Sequence, residues 1–329
     1  MKIPITYTIT PSILTLLSEI ESLRLYAEKG EINKHISFTL RRNSLLNSSL
    51  YSARIEGNQL TELTVNEEDA DNETREITNI MRALEYVDSS QILRIDHIFI
   101  KKIHAIVGTQ LFPEKGRYRK EVSGIFNAAG TAVYMPPPPT QVLPLMDKLI
   151  EYINAKTDFP LIVAFMVHLQ FEKIHPFLDG NGRVGRILIL AILKLKNSYS
   201  PVPVVVEEYL DTHREEYYDV LLSGLQNTER YLLFMLSAYL EQMKNSIKKL
   251  EDLSNKSPVI QELTARQEEI FHIIREHRAV SLNFIARRFL KVQERTLRDD
   301  IAKLIQKNLV IKVGNTKGVE YRAAISATS

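Results

Sequence analysis

The sequence predicts a mainly α protein: a helical bundle carrying one β-hairpin flap, followed by a small C-terminal α+β unit. Three observations predict it. Apolar residues recur at helical spacing from residue 11 to about 250, while Gly116 to Gln141 breaks that spacing with Gly124, Gly130 and the run Pro136 to Pro139. Past Pro258 the pattern becomes three short helices and two alternating segments. A length of 329 residues is a prior for two domains, and 25% charged with 44% apolar residues excludes a disordered or fibrous chain.

Each element has its own signal. Pro11 to Ala27 carries Ile13, Leu16, Leu17, Ile20, Leu23 and Leu25, close to the spacing of one buried helix face. The same stripe predicts helices over Leu40 to Arg54, Glu73 to Tyr86, Asp96 to Val107, Val142 to Ala155, Pro160 to Lys173, Gly185 to Lys196, Thr212 to Gln226 and Thr228 to Leu250. Asn66 to Asp71 reads as a solvated acidic loop. The polyproline run cannot be helical, so Val122 to Tyr134 before it reads as a hairpin laid against the bundle. A polar boundary at 253–260 divides residues 1–252 from 261–329. Beyond it come helices Ala265 to Glu276, one capped by Ser281 and ending at Phe289, and Gln293 to Lys307. Strands Leu309 to Val313 and Val319 to Arg322 then flank the turn Gly314 to Gly318. Helix, helix, helix, hairpin is the winged-helix order.

The formal charge of +2 hides an asymmetry. Residues 261–329 hold 13 basic and 8 acidic residues, net +5, which leaves 29 and 32, net −3, for 1–260. With no cysteine, thiol catalysis, disulfides and Cys-ligated zinc are excluded. The apolar runs fall short of the roughly 20 residues that cross a bilayer, and the first residues lack a secretory pattern, so no membrane partner and a cytoplasmic location are expected.

The chemistry concentrates in His175-Pro176-Phe177-Leu178-Asp179-Gly180-Asn181-Gly182-Arg183-Val184-Gly185-Arg186, a loop feeding a helix N-terminus. Gly180 and Gly182 allow consecutive amides to converge on one anion, and the helix adds its free N–H groups. Arg183 and Arg186, three apart on the first turns, suit a polyphosphate. Asp179 is the hard carboxylate that a phosphate-bound Mg2+ requires, and His175 is a base that titrates near neutrality. Together they imply transfer chemistry on a nucleotide phosphate. A competing reading makes His168, His175 and Asp179 a transition-metal site, and it leaves the glycines and both arginines unexplained.

These twelve residues resemble the signature of the Fic proteins, HPFx[DE]GNGRxxR, with every defined position filled. The resemblance implies AMPylation, the transfer of AMP from ATP to a Ser, Thr or Tyr hydroxyl of a protein, self-modification included. It implies His175 as general base and Asp179 as the Mg2+ ligand. Gly180, Asn181 and Gly182 would form the phosphate nest, Arg183 and Arg186 would hold the β and γ phosphates, and Phe177 would anchor the loop. Ser52-Ala53-Arg54-Ile55-Glu56-Gly57-Asn58 is similar to the family's inhibitory motif [ST]xxxE[GN]N, which implies that Glu56, with Ser52 and Asn58, restrains ATP binding at Arg186. Read alone, Glu56 is a helix-end acid before a glycine cap. The resemblance equally admits the reverse reaction, in which Glu56 positions water to remove AMP. It also implies a flap, here Val122, Ser123, Gly124 and Ile125, that aligns the target by strand addition, and a tendency to form homodimers. Tyr217 and Tyr218 are candidates for the adenine pocket.

The winged-helix order raises a DNA-binding reading, with Gln293, Arg295, Thr296, Arg298 and Lys303 on the recognition helix and Lys312, Asn315 and Lys317 on the wing. Glu294, Asp299 and Asp300 dilute that face, and a protein partner for residues 261–329 is the equal alternative.

Overall fold

The computed structural model describes residues 6–29, 34–60, 71–126, 132–155, 159–254, 263–277, 279–289, 292–314 and 319–324. Helix α6 (Pro160–Ile174) is the axis of the larger part. It is apolar on every face and buried along almost its whole length, as a helix surrounded by others must be. Around it pack α5 (Pro139–Asn154), α7 (Asn181–Leu195) and α10 (Thr228–Ser254). A second shell comprises α1 (Pro11–Lys29), α2 (Lys34–Ile55), α3 (Asn72–Ser89), α4 (His97–Val107), α8 (Val206–Thr212) and α9 (Arg214–Ser223). Helix α1 runs alongside α10 in the same direction, pinned by Lys244 on Glu19 and Tyr26 on Glu251.

Local chemistry accounts for the helix starts. Asp71 and Asp96 accept from the backbone N–H of Thr74 and Phe99 at 2.7 and 2.8 Å, capping α3 and α4. Pro139 occupies the first turn of α5, where a missing N–H costs nothing, so this helix begins inside the polyproline run and not at Val142. A second departure lies at residues 206–223. The helix expected over Thr212 to Gln226 is α9, and a further short helix that the sequence reading did not expect, α8, precedes it, the two separated at His213 with φ −113° and ψ 38°.

The flap is a short antiparallel pair, β1 (Ile125–Phe126) and β2 (Ala132–Tyr134), with Ile125 opposite Tyr134. Its tip, including Gly130, lies outside the described residues, as do Asn66 to Ala70, Asn255 to Pro258 and Asn315 to Gly318 of the other expected loops.

A separate apolar cluster, with Ile270, Phe271, Ile285, Phe289, Leu297, Ile301 and Tyr321 at its centre, holds the C-terminal unit together. Its elements are α11 (Ala265–Glu276), β3 (Val280–Ser281), α12 (Leu282–Arg287), α13 (Glu294–Gln306), β4 (Val310–Val313) and β5 (Glu320–Ala323). The sheet order is β3-β5-β4, antiparallel throughout. Thr264 and Gln267 form a capping box on α11, and Ser281 caps α12 as expected. The unit docks on α2, where Arg42 Nε lies 3.2 Å from Glu269 Oε1 and its guanidinium covers the Phe289 ring at 4.1 Å. Among the described residues no helix is long and apolar enough to cross a membrane.

Candidate active site

Helix α6 ends at His175, whose φ of 49° puts a non-glycine residue in the left-handed region at a cost of about 1–3 kcal/mol. Three contacts hold the turn that follows. Phe177 is fully buried and stacks on the His104 ring with centroids 3.7 Å apart. Asn181 closes the loop on itself, its Oδ1 accepting from Phe177 N–H and its Nδ2 donating to Phe177 C=O, both at 2.9 Å. The Gly116 N–H donates to His104 Nδ1 at 2.7 Å, which leaves Nε2 to donate to the Asp179 carbonyl at 3.0 Å. Burial pushes the His104 pKa down to about 4, so the ring stays neutral in that tautomer.

Gly180 is the N-cap of α7 at φ 76°, and a Cβ there would lie 2.7 Å from the Phe112 ring. Gly182 differs from the sequence expectation. It sits inside the first turn of α7, and what requires glycine is space, since a Cβ would lie 2.3 Å from Glu56 Oε1.

The two arginines of the motif part company. Arg186 is buried in the wall of a cleft of about 780 Å3, where Nε donates to Ser52 Oγ and Nη2 to both Ser52 C=O and Glu56 Oε1, each at 2.9 Å. Burial opposes the charge of this guanidinium, and the Glu56 carboxylate outweighs that and keeps it protonated. Burial likewise raises the Glu56 carboxyl, but Arg186 and then Arg183 hold it below the ordinary carboxylate value. Arg183 is instead packed over Phe112 and paired with Glu76 of α3 and with Asp179 Oδ1 at 2.6 Å. Asn58 does not line the cleft. Its Nδ2 donates to Glu73 C=O and Glu76 Oε2, tying the segment after α2 to the carboxylate that holds Arg183.

The cleft is also lined by His175, Asp179, Tyr217 and Tyr218 and by Gly124 and Tyr134 of the flap, Tyr218 exposed and Tyr217 buried behind the surface. Burial, chiefly, lowers the His175 pKa to about 4, with Arg119 adding to the shift and Glu56 and Asp179 opposing it. Its Nδ1 is buried, which leaves Nε2 as the nitrogen toward the cleft. Tyr218 donates to Ile55 C=O at 2.8 Å, and Tyr217 shares a 2.8 Å hydrogen bond with His168 Nε2. His168 is fully buried beneath the cleft. Among the described residues no three His, Asp or Glu are grouped to hold a metal, so the transition-metal reading lacks its ligand set. On the flap, Val122 is exposed and Ser123 partly so.

Residues 86–193 match the Fic/DOC family. These residues are similar to a Fic domain. The chain is 28% identical over 216 residues to "Protein adenylyltransferase Fic" of Culex quinquefasciatus, covering 62% of this chain and 40% of that protein. It is 30% identical over 188 residues to the Drosophila melanogaster protein of the same name, covering 52% and 35%. The chain therefore spans about 40% or less of these relatives. Among solved structures, a Fic family protein from Desulfovibrio desulfuricans matches with TM-score 0.67 and 23% identity over 97% of this chain and 98% of that one. Fic-1 from C. elegans matches with TM-score 0.62 and 19% identity over 73% of each, and both likenesses show the fold. Glu56 and Ser52 lie upstream of the matched Fic domain.

Sequence reasoning missed His104, Glu76 and Glu172. Only His104 left a signal, a polar residue at the buried spacing of Ile100, Ile103 and Val107 on α4. Glu172 lines the cleft with Oε1 buried and unbonded, and burial, chiefly, lifts its pKa to about 8.

Proposed function

We propose that this protein is an adenylyltransferase that moves AMP from ATP to a protein hydroxyl and that Glu56 restrains it. One observation carries the reading: a neutral His175 and Asp179 share a cleft with the α7 N-terminus and a buried Arg186 already occupied by a carboxylate. His175 Nε2 takes the proton of the target hydroxyl, whose oxygen bonds to the α-phosphorus of ATP. The bond to the β-phosphate breaks and pyrophosphate leaves. The amides of Gly180, Asn181 and Gly182 and the Arg186 guanidinium bind phosphate oxygens, and Tyr218 faces the nucleoside with the buried Tyr217 behind it.

Mg2+ fits as one ion held by a single protein carboxylate and substrate phosphates. Asp179 stands 61% exposed at the cleft, with only its Oδ1 engaged by Gly180 and Arg183. When bound, the ion neutralises phosphate charge. Glu56, bonded to Arg186, keeps ATP from its productive pose. The edge from Val122 to Ile125 receives the target backbone. Residues 1–252 act as the catalytic unit and 261–329 as its partner-binding unit, for protein or DNA.

The glutamate in the cleft wall also supports AMP removal with Glu56 orienting water. Incubating Glu56→Gly with α- and γ-labelled ATP separates the outcomes. Protein label from the α position alone supports adenylyl transfer, and label from the γ position contradicts it. Loss of AMP from pre-labelled protein with wild type, but not with Glu56→Gly, favours removal.

A further inference from the structure

Behind the catalytic loop lies a charged group that the reaction above does not use. Arg119 follows the turn at Gly116 and is 4% exposed, and among the described residues no carboxylate pairs with it. A buried guanidinium without a counter-ion persists only where its donors are otherwise satisfied. Here backbone carbonyls engage all three of its nitrogens and four of its five N–H donors. Nε donates to His175 C=O at 2.7 Å and Nη2 to Ile174 C=O at 3.3 Å, while the Arg119 backbone N–H donates to Pro176 C=O at 2.9 Å. Three consecutive peptide units of the loop are thus fixed by one residue. The other donors reach the two roots of the flap, Nη1 to Glu121 C=O at 3.0 Å before β1 and Nη2 to Pro137 C=O after β2.

The residue gripped most directly, His175, is the one whose left-handed backbone needs restraint. A lysine could not replace this arrangement, because one ammonium cannot reach carbonyls that diverge around a planar fork. We propose that Arg119 is a positioning residue that fixes the His175 ring and the roots of the β1–β2 flap in one frame, so that base and target strand meet at a set distance. The proposal rests on the adenylyl-transfer reading for what the frame is used for, and its geometry is independent of it.

The test uses the full chain with Glu56→Gly as parent and compares Arg119→Lys and Arg119→Gln. The expected result is a fall in kcat for labelling of at least 100-fold with a change in the Kd of a fluorescent ATP analogue under threefold. Amide hydrogen exchange should rise at least tenfold in peptides covering 174–181 and 121–137 and stay unchanged in α5 and α10. That pattern is distinct from a purely structural defect, in which nucleotide affinity, melting temperature and exchange throughout the bundle change together. Unchanged labelling and loop exchange in both variants, or such a global loss in both, overturns the proposal. If the parent does not label protein, the transfer reading fails, and the exchange and nucleotide-binding results still decide the role of Arg119.

Discussion

Two glutamates grip α2 from opposite directions, and burial treats them differently. Glu56, just past the C-terminal end of the helix, faces Arg186 and Arg183 and lies below the ordinary carboxylate value despite burial. Glu269 of α11, fully buried against Arg42 near the other end, makes no aligned hydrogen bond at either oxygen, and its burial raises it to about 7 despite Arg42 and Arg288. The number of cations and of well-directed donors decides which buried carboxylate stays an anion. The carboxylate in the cleft is therefore held as an anion by its arginines, while burial shifts the carboxyl between the two units toward neutral pH.

Breaking the first pair should cost most. Arg186→Ala removes a buried guanidinium and its bonds to Ser52 and Glu56 and should lower stability by about 3 kcal/mol in urea denaturation, the low end for a pair cut on one side because Glu56 is partly solvated. A loss below about 1 kcal/mol would mean that Glu56 simply turns to solvent.

Glu269→Gln sharpens the contrast through pH. The folded value near 7 exceeds the ordinary 4.5, so the folded state binds more protons between them and wild type loses stability as pH rises through that window. Removing the ionisation should raise stability at pH 8 by up to about 3 kcal/mol and leave it unchanged at pH 5. His104, His168 and His175 have folded values pushed below 6.5, so they destabilise both proteins equally as pH falls below that value, and comparison at one pH cancels them. Equal shifts in melting temperature at both pH values would contradict the assignment.

The smallest effect belongs to the C-terminal unit's surface. Arg298 pairs with Glu294 one turn earlier on α13, both exposed, and Arg298→Ala should change stability by less than about 0.5 kcal/mol. The same pairing uses a cation that the DNA reading needs. Salt-dependent retention of the full chain on duplex DNA, lost on converting Arg295 and Lys312 to Ala, would support that reading. The absence of retention at low salt would remove it.

Most of the bundle was legible because apolar residues recur at helical spacing, in one stripe on the outer helices and on every face of α6. Helix α8 was not, because its 7 residues are too few to show a repeating stripe, and it is packing on α2 that makes Val206 its start. In the site, the contiguous loop from His175 to Arg186 was legible as a unit. Glu76 on Arg183, His104 on Asp179 and Arg119 on His175 join residues 107, 75 and 56 positions apart, and no local pattern announces such pairs. At Gly182 the sequence did not show the need for space beside Glu56. Its requirement comes from a side chain 126 positions upstream that only folding brings beside it.

The most direct test of the account is the rate of label transfer from α-labelled ATP to protein, with Mg2+ present, in wild type, Glu56→Gly and Glu56→Gly with His175→Ala. Glu56→Gly should exceed wild type by at least tenfold, and adding His175→Ala should remove about 100- to 10,000-fold of that signal, the range for a lost general base. Equal labelling in all three would contradict both the brake and the base.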